Sequence, residues 1–208
     1  MTAHNLIKSM TKRGNAIIGV GCFAAALEST VSTDKIIKIG NNLDDKWLDY
    51  YHEICVKYQG ALCIPSIQSF YKDCAHGYYV CTMEKLYYYT DSDTRAAKTL
   101  VSRYITDCMT KDEWLDAAVE YPKHFGHLGQ FLQVMDSIKE GSDLEDECCD
   151  DDENYIHAYR RVDLHQGNIL SRACGQLVIT DPWCSHNYLM DEVCALDEWA
   201  SRTLGYVD

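Results

Sequence analysis

The sequence predicts an α+β fold, on three observations. Short β-branched and aromatic runs bounded by Gly, Asn and Asp fill the chain as far as Met83, with one long helical stretch among them. From Asp91 onward the apolar residues change to helical spacing. A chain of 208 residues that is 47% hydrophobic can bury a proper core, as one domain or as two lobes sharing a cleft, and this argues against disorder.

In chain order, Ala16 to Leu27 reads as strand, glycine turn, strand. Lys35–Ile39, bounded by Asp34 and Gly40-Asn41-Asn42, reads as a third strand. Leu43 to Tyr58 places Leu43, Trp47, Tyr50, Tyr51, Ile54 and Tyr58 at helical spacing, with Gly60 just past the end. Two further strand-like runs, Ile64–Tyr71 and Gly77–Met83, flank a turn at Asp73 to Gly77. Helices are expected over Ala96–Met109, Lys111–Val119 and His127–Lys139, and one or two helical turns over Tyr155–Arg161. Asn168–Leu170 and Leu177–Thr180 enclose a turn at Ser171 to Gln176. Asp191–Leu204 reads as a last helix with Val193, Leu196, Trp199 and Ala200 on one face. There are no internal repeats, and the two parts meet near Glu84 to Leu86.

The net charge is −13, which makes nucleic acid an unfavoured partner, because phosphate backbones need clustered Lys and Arg. It leaves room for a basic partner protein, or for a nucleotide held locally by a metal. Eight acids and no base lie between Asp143 and Glu153; without them, 24 acids face 19 bases. Like charges this dense repel and stay solvated, so a flexible surface loop is expected, with docking of a basic partner protein as the second use. Eleven cysteines, an odd number without a CxxC pair, predict reduced thiols in a cytoplasmic protein, most of them small core residues. Lys12 and Arg13 ahead of the apolar stretch Ala16–Leu27 imitate a leader peptide, but two glycines and the free thiols argue against export. No run approaches the ~18 apolar residues of a membrane span, so no membrane association is expected.

Chemistry concentrates in Val162-Asp-Leu-His-Gln-Gly-Asn-Ile-Leu170 and Leu177-Val-Ile-Thr-Asp-Pro-Trp183. Asp163 and Asn168 lie on a loop leading into a strand, and Asp181 ends the returning strand. A hairpin of that length can bring Asn168 and Asp181 to one end of a pocket facing Asp163. Two oxygen ligands beside a free carboxylate suit phosphoryl transfer: Asn168 and Asp181 for Mg²⁺, Asp163 to accept or orient the nucleophile's proton. Upstream, Gly19-Val-Gly21 between two strands lets backbone N–H groups approach a polyphosphate. Lys38 on the next strand can reach phosphates and pair with a carboxylate of the following helix, where Asp49 and Glu53 are equal candidates. Each residue also has a plainer role. Asp163 and His165 could cap a turn, Asn168 and Asp181 could simply serve turns, and Lys38 could face solvent. His165 is expected to orient the loop and not to bind metal. His124, His127 and His157 lack ligand spacing, and Trp47, Trp183 and Trp199 are expected in packing.

In this order (GVGCF, IIKI with Lys38, an acid-bearing helix, a hinge-like Val80–Leu86, DLHQGN, ITDPW) the chain resembles the protein kinases. It is most similar to the early serine/threonine protein kinases of T7-like bacteriophages, through GxGxFxAA, IKIG, Cys55…Tyr58-Gln-Gly60, Ile64-Pro65, DLHQGNI and ITDP, from about Gly14 to Trp183. The resemblance implies a single two-lobed kinase-like catalytic domain: residues 14–86 as N-lobe and hinge, residues 87–208 as a reduced, mostly helical C-lobe. It implies ATP and Mg²⁺ as cofactors. Gly19, Gly21, Phe23, Lys38, Glu84 and Leu86 would lie around the nucleotide, and Asp163, Lys38 and His165 would do the catalytic work. It also implies phosphorylation of host proteins during infection, redirecting or shutting off functions such as transcription. The chain departs from the kinase pattern in four places. A third glycine is replaced by Ala24 or Ala25, Val162 stands where an arginine would precede Asp163, Pro182-Trp183 follow Asp181, and no APE-like segment follows. Two other functions fit the composition: a small-molecule phosphotransferase of the same fold, and a non-enzymatic acidic inhibitor of a host factor.

Overall fold

The first part of the chain forms one antiparallel sheet in the computed structural model, which describes residues 1–21, 23–41, 45–142, 145–149, 155–185 and 196–204. Its five strands are β1 (Ile17–Val20), β2 (Ala24–Glu28), β3 (Lys35–Gly40), β4 (Ile67–Asp73) and β5 (Tyr78–Glu84), in the order β1-β2-β3-β5-β4. The fold is α+β. The chain divides into two compact units: Met1–Asp45, Ser66–Lys85 and Tyr188–Asp208 form the first, Lys46–Pro65 and Leu86–Asn187 the second.

In the first unit, helices α1 (Ala3–Lys12) and α7 (Leu196–Leu204) accompany the sheet. Strand alternation sends Ala25, Leu27, Ile37, Ile39, Tyr78 and Val80 to one face, where they pack with Ala3, Ile7 and Trp199. Ile7, Leu27 and Ile39 are fully buried there, worth about 2 kcal/mol each against exposure. The opposite face carries the other set, Ala24, Ala26, Lys38, Gly40, Tyr79 and Cys81. The leader-like stretch is therefore a β-hairpin. Helix α1 is not among the predicted elements, although Ala3, Leu6, Ile7 and Met10 carry a helical stripe behind the Thr2 cap.

The second unit begins with α2 (Lys46–Tyr50), which passes into a π-helical turn at Tyr51–Cys55. A plain α-helix through Tyr58 is thus corrected. Bulky rings at Trp47, Tyr50 and Tyr51 crowd one short stretch, and Trp47 stacks on Tyr51 at 5.8 Å. A widened turn relieves such crowding. Helices α3 (Ser92–Ile105), α4 (Lys111–Ala118), α5 (Pro122–Phe125) and α6 (Leu128–Ser142) follow. Trp114, Phe125 and Phe131 form their buried aromatic centre, ring to ring at 5.1–6.2 Å. Thr110 and Glu113 make a reciprocal capping box on α4.

Asp91 caps α3. The backbone N–H and the hydroxyl of Thr94 both donate to its carboxylate, which holds the carboxyl below its ordinary range. A depressed carboxyl adds stability that is complete above its unfolded value, about 3.9, and is lost as the pH falls through its folded value. Asp91→Ala is expected to lower the thermal midpoint at pH 7, with the gap to wild type closing at pH 2.5. Equal gaps at both values would exclude the cap.

Strands β8 (Ile169–Ser171) and β9 (Leu177–Ile179) form a hairpin, and β6 (Glu145–Cys149), β7 (Tyr155–Val162) and β10 (Trp183–Ser185) a sheet ordered β10-β7-β6. The expected helical turns at Tyr155–Arg161 are therefore a strand. The segment is too short to nucleate a helix alone, and its aromatic and branched residues suit a ladder with neighbours on both sides. The expected flexible loop is also corrected in part. Glu145, Asp146 and Glu147 register with Tyr159, Ala158 and His157, so no acid opposes another. The rest of the acidic run, 143–144 and 150–153, lies outside the described residues.

The cysteine expectation holds in part. Among described side chains, Cys55, Cys63 and Cys81 are buried, whereas Cys74, Cys108 and Cys174 are exposed, and all are free thiols. No helix among the described residues is long and apolar enough to cross a membrane.

Candidate active site

The candidate residues divide between the units. Gly19, Gly21, Phe23, Lys38 and Glu84 belong to the first; Asp49, Glu53, Leu86, Asp163, His165, Asn168 and Asp181 belong to the second.

In the first unit Lys38 sits half-buried mid-strand, on the face away from α1 and α7. Its row across the sheet runs Gly19, Ala26, Lys38, Cys81. Its neighbours in that row are small, so the ammonium stem rises from a low floor. Burial pushes the Cys81 thiol up to about 12, against the opposing pull of Lys38, so it stays a neutral packing group. Gly21 N–H donates to Ala24 O at 2.8 Å and closes the tight β1–β2 turn; Asn41 N–H donates to Phe23 O at 2.8 Å. A Cβ on Gly19 would meet nothing within 4 Å, so its value is an uncovered backbone and not relief of a clash. Glu84 N–H donates to Ser66 O at 3.0 Å, and its Oε1 accepts from Ser66 N–H at 2.7 Å.

In the second unit Asp49 is half-buried and pairs with Lys46 at 3.3 Å, whereas Glu53 is exposed on the π-turn. Leu86 is half-buried and precedes Tyr87, whose N–H and C=O exchange bonds with Ser171.

The Asp163–Asp181 region is assembled almost entirely by its main chain. Asp163 N–H donates to Pro182 O at 2.8 Å. Asn168 Nδ2 donates to Asp163 O at 2.6 Å. Thr180 N–H and its hydroxyl both donate to Asn168 O, at 2.9 and 3.1 Å. Asp181 is therefore held from both sides, Thr180 tied to Asn168 and Pro182 tied to Asp163. The ladder of β10 to β7, with Trp183 opposite Val162, continues the tie. The structure brings Asp163, Asn168 and Asp181 to one loop cluster.

His165 caps the 3₁₀ turn Gln166–Asn168: its Nδ1 accepts Gly167 N–H at 3.0 Å. The neutral ring then carries its proton on Nε2, which faces Asp163 Oδ2 at 4.0 Å. A Cβ on Gly167 would stand 2.8 Å from His165 Cε1, so the glycine of the DLHQGN run makes room for that ring. Thr180, Trp47 and Tyr50 also support the cluster and are absent from the predicted set; the ITDP run was the signal for Thr180. His124 is buried and bonds Gly175 O at 2.8 Å, a structural role. Trp47 and Trp183 are core residues.

The donor set is hard oxygen. With Asn168 Nδ2 committed to Asp163 O, the amide's other end is an acceptor oxygen, and that oxygen and the Asp181 carboxylate are of the kind that fits Mg²⁺. Two carboxylates and an amide oxygen on a braced hairpin are the parts that phosphoryl-transfer enzymes use. Residues 2–197 match the family model described as bacteriophage T7 protein kinase 0.7, and the chain belongs to that family. Its class is thus that of phage protein kinases, with phosphoryl transfer as the general chemistry. No curated protein matches the chain.

Proposed function

We propose that the chain is an ATP- and Mg²⁺-dependent serine/threonine kinase of reduced two-lobed architecture, acting on host proteins in the infected cell's cytoplasm and redirecting functions such as transcription. The observation that carries the reading is the double tie around Asp181, which fixes it beside Asn168 and Asp163. Family membership supports the reaction class.

Each residue takes a role by its chemistry. Asp163 accepts or orients the proton of the attacking hydroxyl, and its carboxylate is partly exposed to do so. His165 holds that carboxylate's side of the loop. Asn168 and Asp181 would hold Mg²⁺, which neutralises charge on the phosphate oxygens when bound. Lys38 balances phosphate charge. The backbone at Gly19, with open space above its Cα, lies against phosphates, with Gly21 and Phe23 shaping the turn beside it, and Glu84 and Leu86 face the base. Asp49, the half-buried acid, suits an ion pair with a lysine better than exposed Glu53 does.

The test is incubation with γ-labelled ATP, Mg²⁺ and host lysate, comparing wild type with Asp163→Ala. Label on Ser and Thr of host proteins that disappears in the variant supports the reading. Label confined to small molecules points to a small-molecule phosphotransferase. A host effect that survives Asp163→Ala and is lost on neutralising Asp143–Glu153 points to an acidic inhibitor.

A further inference from the structure

Helix α2 is bonded to the end of β9, two residues before Asp181. Trp47 and Tyr50 lie three apart on it, both fully buried. The indole Nε1–H of Trp47 donates to Thr180 O at 3.1 Å, and the Tyr50 hydroxyl donates to Ile179 O at 2.6 Å. On their other sides, Ile179 N–H donates to Cys63 O at 2.9 Å, and Thr180 N–H donates to Asn168 O. The two residues before Asp181 are thus bonded through both their N–H and C=O groups, and both carbonyls take their bonds from one helix. Tyr50 also packs edge-on against Trp183, two residues past Asp181, at 6.0 Å. Burial holds the Tyr50 phenol far above its ordinary range, so it remains a donor at every working pH. Packing alone does not need a hydroxyl and an indole N–H at these two points; Phe and Leu would fill the space.

We propose that Trp47 and Tyr50 are positioning residues that latch α2 to the end of β9 and set the Asp181 carboxylate for metal binding. The same helix bears Asp49, and Glu53 follows on its π-turn, so the latch makes the acid-bearing segment and the run into Asp181 one mechanical piece. The inference rests on the assignment of Asp181 as a Mg²⁺ ligand in the proposed kinase reaction.

The experiment titrates Mn²⁺, by its paramagnetic effect on water relaxation, into full-length protein with a non-hydrolysable ATP analogue, and measures phosphoryl transfer separately. Tyr50→Phe keeps the ring and removes the donor. It is expected to weaken Mn²⁺ binding about 10-fold, the usual loss when a group behind a metal ligand is removed, and to lower kcat while KM for ATP stays within about twofold at saturating metal. Trp47→Phe removes the other donor and shows the same shift; it serves if Tyr50→Phe does not fold. Tyr58→Phe is the control. It deletes a hydroxyl contact to Ser137 at 2.6 Å in the same unit and leaves Mn²⁺ binding unchanged. Equal Mn²⁺ affinity in folded Tyr50→Phe or Trp47→Phe and in Tyr58→Phe overturns the latch. Wild type that binds Mn²⁺ with the analogue, weakened by Tyr50→Phe, yet transfers no phosphoryl group supports the latch and removes the kinase reading. Wild type that takes up no Mn²⁺ overturns both.

Discussion

Asp163→Ala is expected to lower phosphoryl transfer by about 10³-fold or more, with its thermal midpoint shifted by no more than about 2 °C, and Asp181→Ala is expected to lower transfer by about 10²-fold or more. The separation of activity from stability follows from how the cluster is built. Asp163 contributes to the fold through its N–H, bonded to Pro182 O, and its C=O, bonded to Asn168 Nδ2. Alanine keeps both. The Asp163 carboxylate faces His165 Nε2 at 4.0 Å, and the side chain is 41% exposed. Asp181 is likewise held through its neighbours Thr180 and Pro182. The Asp163 side chain takes no part in these main-chain ties and is available for chemistry. Removing the group that takes the hydroxyl proton lowers kcat and leaves KM for ATP unchanged, whereas removing a metal ligand also raises the Mg²⁺ concentration needed for half-maximal rate. Steady-state kinetics across a Mg²⁺ titration separates the two. Near-wild-type rates in either variant would refute the site assignment. Asn168→Ala is a poorer probe, because its amide also supports the loop and a loss would mix the two effects.

The pattern of the chain carried most of the first unit. The strands over Ala16–Leu27 and Lys35–Ile39 were expected, and once Leu27 and Ile39 are buried a strand's period of two settles which residues share a face with Lys38. The β8–β9 hairpin was equally plain, since its turn residues and the run Leu177–Ile179 are adjacent in the chain. What was hidden depended on distant partners. Tyr155–Val162 is a strand because β10 and β6 flank it, and nothing local records either neighbour. Trp47 stands 133 residues from the carbonyl it serves, and at that separation a tryptophan at helical spacing looks like any core residue. The same holds for the acidic run: local charge density argues for a solvated loop, and only its register against Tyr159, Ala158 and His157 accounts for a strand at Glu145–Cys149.

Gly40→Ala is expected to cost about 3 kcal/mol, at the upper end for overpacking a rigid site, and so to lower the thermal midpoint by about 6–12 °C. Gly40 has an ordinary backbone conformation, so strain in its dihedral angles is not the cause. The cause is the ring above it: a Cβ would lie 2.0 Å from Tyr79 Cε1 and 2.3 Å from Cζ. Tyr79 has nowhere to go. It is fully buried, its hydroxyl donates to Asp45 Oδ2 at 2.6 Å, and its ring stacks on Phe70 at 6.2 Å. Moving the ring would break a buried hydrogen bond; moving the backbone would shift β3, which pairs with β2 and β5 on both sides. Gly129→Ala in α6 is the matched control, since a Cβ there meets nothing within 4 Å and alanine favours a helix, so its midpoint holds or rises. Lys38 is two residues back on the same strand and the same face as Gly40. Any relaxation that accommodates the methyl group therefore displaces Lys38 too, and the surviving folded Gly40→Ala protein is expected to show a raised KM for ATP. A variant with an unchanged midpoint and unchanged KM would mean that Tyr79 does not lie over β3, and with it would go the low floor of small residues from which Lys38 projects.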